Sequence, residues 1–139
     1  MKKLLLIGLL AFPIHAISAD LIIGGWSYHP NDGYRDGAKA IPYNNKNKLI
    51  ALDVNNFIIA SFKNSYYYHT KAVGYEFKLN KYLGVMTLLT DTYEDVTPVK
   101  VGSANLMGIL TLTAGPVFIM FVPSEVYTLA FRFDISTNL

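Results

Sequence analysis

A hydroxyl beside an imidazole is the least equipment that acyl transfer needs, with the imidazole as general base toward the serine or toward the acceptor. In this sequence the candidates are Ser65 and His29. His29 closes the first alternating apolar segment and Ser65 closes the third. If the N-terminus is periplasmic, both segments run outward and bring the two residues to the same mouth. Counting by two along each strand places Ser27 with His29, and Ser61 with Lys63 and Ser65, on the lumen side. The other reading of the pair is two polar residues at a wet rim. His69, in the next outer loop, is a reserve histidine. No phosphate loop, HExxH pair, EF-hand loop or G-x-S-x-G elbow occurs. With no cysteine in the chain, a disulfide framework and thiolate metal sites are excluded.

The elements that must position such a pair read as strands. Thr70 to Leu79 alternates, with Val73, Tyr75 and Phe77 on one face and Ala72, Gly74, Glu76 and Lys78 on the other. Val126 to Ile135 sets Tyr127, Leu129, Phe131 and Phe133 against Thr128, Ala130, Arg132 and Asp134. Six further segments follow the same logic: 21–29, 46–54, 56–65, 82–90, 103–113 and 115–122. Their connections take turns in length. Short ones lie at Asn55, at Asn80 and Lys81, and at Ala114; the others, longer on the whole, are 30–45, 66–69, 91–102 and 123–125. An even strand count with alternating short turns and longer loops is the pattern of a transmembrane barrel. The expected fold is all-β: an eight-stranded antiparallel transmembrane β-barrel. A soluble barrel would carry polar residues on its outer face, where this chain has Val, Leu, Ile, Phe and Tyr. Tyr66, Tyr67, Tyr68, Trp26, Tyr28 and Tyr82 are candidates for interfacial girdles.

Composition agrees with one such domain. The 139 residues are 52% hydrophobic and 16% charged, which rules out disorder. Lys2 and Lys3, an apolar run from Leu4 to Ile14 and small residues at Ala16, Ser18 and Ala19 read as a secretory signal peptide. The expected division is a leader over 1–19 and an outer-membrane barrel over 20–139. Without Lys2 and Lys3 the chain has ten basic and ten acidic residues, so no electrostatic case for nucleic acid exists.

Phe62-Lys63-Asn64-Ser65-Tyr66, followed without a gap by Ala72-Val73-Gly74-Tyr75, resembles the lipid A palmitoyltransferase family, PagP. In that family the corresponding stretches are Phe-Lys-Asp-Ser-Trp and Ala-Gly-Tyr-Gly. Weaker similarity runs through Tyr43-Asn44, Gly115-Pro116-Val117 and Leu129 to Phe133. The resemblance implies an eight-stranded outer-membrane barrel that moves an acyl chain from a phospholipid to lipid A. It implies no metal and no cofactor, insertion by the outer-membrane machinery, and a monomer. Carried over by position, it makes Ser65 the catalytic serine and His29 the catalytic histidine, with Asn64 where the family has Asp. The second Gly of the family's stretch, part of the floor of its acyl pocket, is Glu76 here. Lys63, Arg132, Lys78, Asp53 and Asp134 fall on lumen-facing parities and are the candidate partners of Glu76. With Gly74 they describe an acyl pocket or a lumen network. Two outcomes are open: an ionic plug that closes the lumen, or a floor that shortens the pocket. They lead to two functions, an acyltransferase or a non-enzymatic barrel acting through its outer loops.

Overall fold

Alternation along the chain builds the barrel directly. The computed structural model describes residues 18–30, 33–91, 100–122 and 126–136. Its strands are β1 (Ala19–Tyr28), β2 (Tyr34–Asp36), β3 (Lys39–Ile41), β4 (Lys46–Val54), β5 (Phe57–Lys63), β6 (His69–Lys78), β7 (Leu83–Thr90), β8 (Lys100–Val101), β9 (Ala104–Ala114), β10 (Val117–Val122) and β11 (Val126–Asp134). Eight of them, β1, β4 to β7 and β9 to β11, pair antiparallel with their neighbours, and β11 returns to β1 to close the barrel. No helix occurs among the described residues. The expected eight-stranded antiparallel barrel is therefore the observed fold, with strand ends displaced by one or two residues.

Three details differ from expectation. The loop over 30–45 contains a small hairpin, β2–β3, turning at Gly37. The turn expected at Ala114 lies one residue later, at Gly115 and Pro116, because Ala114 still pairs with Val117. Most of the expected leader, residues 1–17, is outside the described residues, while Ala19 already pairs with Val54 as the first residue of β1. Residues 92–99, within the loop expected over 91–102, are also outside them.

Both faces of the wall are apolar. Inward-facing Ile22, Ile58, Met86, Phe118 and Ala130 are almost wholly buried, whereas Ile50, Ile59, Val73, Phe77 and Leu110 point outward and are about half exposed or more. Aromatic rings gather on the outer surface toward each end. Phe57, Tyr75 and Phe77 pack edge to face near the short turns, at 5.0 and 4.8 Å between centroids. Toward the mouth, Tyr127 lies 4.6 Å from Phe121 and 6.2 Å from Tyr28. Trp26, Tyr28, Tyr67, Tyr68 and Tyr82 are exposed as expected, but Tyr66 turns inward and packs on the core.

Close packing of two strands depends on Gly74. A Cβ there would lie 1.9 Å from the Thr87 carbonyl oxygen, which is backbone and cannot swing away. Gly108, on the outer face, has nothing within 4 Å of such a Cβ. In a urea titration of the folded protein, Gly74→Ala is expected to lose about 1–3 kcal/mol, the usual cost of overpacking. Gly108→Ala should change the midpoint little; equal effects would contradict the contact.

Candidate active site at the mouth of the barrel

Two interruptions of strand regularity bring His29 and Ser65 together. In β1, Gly24 and Gly25 take φ of 124° and 91°, and the pairing with β11 slips by one residue between Gly24 and Trp26. Such a bulge reverses which side chains face inward. Ile22 points into the lumen before it, and Ser27 lines the lumen after it. In β5 the inward residues are Ile58, Ala60 and Phe62, so Ser61 and Lys63 are on the outward face, opposite to the expected parity. Regular alternation would have carried Ser65 outward as well. The strand ends at Lys63, however, and the turn at Asn64 sets Ser65 back over the lumen.

Asn64 and Asn44 build that turn. Asn64, fully buried, accepts hydrogen bonds at Oδ1 from the Tyr66 and Tyr68 N–H groups at 2.9 and 3.0 Å. Its own N–H donates to the Tyr68 carbonyl at 2.8 Å. Asn44 donates from Nδ2 to the carbonyls of Lys46, Lys63 and Asn64, and its N–H donates to the Ser65 carbonyl at 2.9 Å. Nothing in spacing or parity pointed to Asn44; its one signal was the Tyr43-Asn44 dipeptide within the family resemblance. Asn64 thus positions Ser65 by shaping its turn, using an oxygen that a carboxylate would supply equally.

The resulting pair is close. His29 Nε2 and Ser65 Oγ are 2.8 Å apart, and the imidazole stacks on Tyr43 at 4.7 Å between ring centres. Tyr43 meets Tyr66 edge to face at 5.7 Å. Ser65 is buried and lines a cavity of about 70 Å³, whose other walls include Phe62, Leu88, Met107 and Met120. His29 does not line it, so the hydroxyl stands between the cavity and the base. His69, the reserve histidine, is exposed at the start of β6, across from Lys63.

At the other end of the lumen, Arg132 is the centre of an ionic network. Its Nη2 bonds to Asp53 Oδ2 and, at 2.7 Å, to Glu76 Oε2. Nε lies 3.0 Å from Asp20 Oδ2 as an ion pair without hydrogen-bond alignment. Thr111 donates to Glu76 Oε1 at 2.9 Å, and Phe118 lies against the guanidinium with its ring centre 4.7 Å away. Of the expected members, Glu76, Arg132 and Asp53 are present, while Asp20 and Thr111 were not foreseen. Lys63 does not belong: it sits at the mouth, with its ammonium 5.7 Å from the centre of the Tyr67 ring. Seven residue steps along β6 from its partner His69 to Glu76 put about 23 Å of strand between the two. Lys78 and Asp134 are exposed and form no ion pair among the described residues, and Asp134 instead accepts from the Ser136 N–H. Gly74 faces inward without lining the cavity, and its role is the close approach to β7.

No protein-family model matches this chain, and no curated protein matches its sequence. No cluster of three or more His, Asp or Glu side chains that could hold a metal ion occurs among the described residues.

Burial of His29, just past the end of β1, disfavours its imidazolium and holds its pKa below the ordinary 6.5. The neutral ring able to accept a proton therefore prevails at pH 7 and is lost only in acid. An NMR titration of His29 should have its midpoint below 6.5; a midpoint at or above that value would contradict the burial. For the network, Arg132→Met leaves Asp53 and Glu76 buried and unpaired, and a loss of about 3–5 kcal/mol is expected in urea unfolding. Adding Asp53→Asn and Glu76→Gln should restore much of it.

Proposed function

We propose that this barrel spans the outer membrane and transfers an acyl chain from a phospholipid to an acceptor such as lipid A. The observation that carries the proposal is the Ser65 hydroxyl, 2.8 Å from His29 Nε2 and on the wall of an apolar cavity. The apolar outer face, with aromatic rings toward both ends, supports the membrane setting.

In the proposed reaction the acyl chain enters the lumen and its ester carbonyl reaches Ser65. Ser65 Oγ attacks the carbonyl carbon while its proton passes to His29 Nε2. The ester C–O bond breaks, and the lysophospholipid leaves with the proton from His29. The acceptor hydroxyl then gives its proton to His29 and attacks the acyl-serine carbonyl, and Ser65 leaves with that proton. Each half returns the imidazole to its neutral form.

The ionic network supports a shortened pocket over a plug, because an apolar cavity remains above it. On β4 the cavity-lining section runs from Asn47 through Leu49 to Ala51, with Asp53 next in the network. That is about 13 Å of strand and less along the axis of a tilted barrel. The chain it would take is shorter than an extended palmitoyl group.

The test is a mass spectrum of phospholipids and lipid A from a Gram-negative host without its own palmitoyltransferase, expressing this protein or Ser65→Ala. An added acyl mass, shorter than palmitoyl and absent with Ser65→Ala, is the expected result. Unchanged lipids with a correctly folded barrel would overturn it and favour a barrel acting through its outer loops.

A further inference from the structure

On three neighbouring strands the outward apolar residues give way to lysine at the mouth. Along β4, Leu52 and Ile50 lead up to Lys48 and Lys46; along β5, Ile59 and Ser61 lead up to Lys63; along β6, Val73 leads up to Lys71. The residues that alternate with these lysines face inward, since Asn47, Leu49 and Phe62 line the cavity and Thr70 and Ala72 are buried. Register gathers the lysines on one face. Ser61 pairs with Lys71 and Lys63 with His69, so Lys63 and Lys71 stand at diagonal positions, about 7–8 Å apart and within reach of two long side chains. Ile50 pairs with Ser61, and Lys48 and Lys63 lie two residues above them on the same face.

Charge in this sector is unbalanced. The carboxylate beside it is Asp91, at the end of β7, whose Oδ1 accepts the Lys71 N–H at 3.0 Å. None of the four ammonium groups is in an ion pair among the described residues, and that of Lys63 lies over the Tyr67 ring. The mouth ends of β1, β10 and β11 differ: their outward residues are Trp26, Tyr28, Phe121 and Tyr127, with no lysine or arginine. Like charges side by side on a sheet face repel, and a partner that brings anions relieves the repulsion.

In a barrel that spans the membrane, this sector stands at headgroup level, just beyond the apolar band. The anions there are lipid phosphates, which lysine meets as a point charge. The extent of the sector selects among them. Cations spread over three strands, about 10 Å across, exceed what one phosphodiester can touch, whereas two phosphates on a single sugar headgroup match them. Ser65 is two residues beyond Lys63, so a glycolipid held here stands beside the mouth.

We propose that the outward mouth ends of β4, β5 and β6 form a docking surface for a glycolipid bearing two phosphates, of which lipid A is the type. The inference rests on the membrane-spanning reading, is independent of the transfer step, and assigns a place to the acceptor.

The test is native mass spectrometry of the detergent-folded full chain with lipid A, with its monophosphoryl form and with phosphatidylglycerol, once the same preparation has been checked for insertion into phosphatidylcholine vesicles. The wild-type barrel is expected to hold lipid A about tenfold more tightly than the monophosphoryl form, with a preference that shrinks as salt rises. The triple variant Lys48→Gln, Lys63→Gln, Lys71→Gln should lose that preference. Lys78→Gln with Lys81→Gln, on exposed residues at the opposite end, and Ser65→Ala should keep it. All these lysines are on the outer surface, and heat-shifted gel mobility checks that each variant is a folded barrel. Equal binding of the two forms by the wild-type barrel, tighter binding of phosphatidylglycerol, or a preference that survives in the triple variant would overturn the assignment and leave the membrane and transfer readings standing. A folded chain that does not enter vesicles would sink the membrane reading together with it.

Discussion

The lumen is organised around one guanidinium. Arg132 on β11 reaches Asp53 on β4, Glu76 on β6 and Asp20 on β1, so a single side chain ties four strands together through the interior. An eight-stranded barrel has room inside only for its own side chains or for one small ligand. Charges at that depth are tolerated when a planar fork meets carboxylates and the remaining lone pairs find donors, as Thr111 does for Glu76 and the Asn56 N–H does for Asp53. Gly84 leaves the space this requires: a Cβ there would lie 2.7 Å from Thr111 Oγ1 and 3.1 Å from Glu76 Oε1. The network fills the turn end, and the apolar side chains above it leave the cavity. Where the charges stop, the cavity begins.

The mouth depends on irregular backbone rather than on regular strands. A glycine bulge in β1 turns Ser27 and His29 inward, and an asparagine turn after β5 folds Ser65 back over the cavity. Both devices break alternation within a few residues of the pair they position. Functional groups are commonly found where local rules are broken, because a fixed pleat cannot aim side chains from two strands at one point. Asn44 holds this arrangement from a third direction, joining the loop after β3 to the Asn64 turn through three hydrogen bonds, to the carbonyls of Lys63, Asn64 and Ser65.

Most of the wall was legible in the chain. Alternation over Thr70 to Leu79 and Val126 to Ile135 marks two strands and their faces. Asn55 marks a turn by the backbone conformation it favours and does adopt a positive φ, whereas the turn expected at Ala114 lies at Gly115 and Pro116. The pairing of Glu76 with Arg132 and Asp53 was legible too, since all three lie on inward parities of regular strands. The site was legible by place but not by reason. Parity counting put Ser65 in the lumen together with Ser61 and Lys63, whereas the structure has those two facing outward and reaches Ser65 through a turn.

By itself, then, the sequence determined what is local: eight strands and their order, the inward and outward faces of β6 and β11, and the ends at which His29 and Ser65 emerge. Tertiary structure alone decided which inward residues meet across the lumen. It admitted Asp20 and Thr111 to the network, left Lys63 at the far end, and kept an apolar cavity between network and mouth. The reason is register. Periodicity specifies a face, but the stagger of strands around a closed barrel specifies the level at which each side chain meets the others.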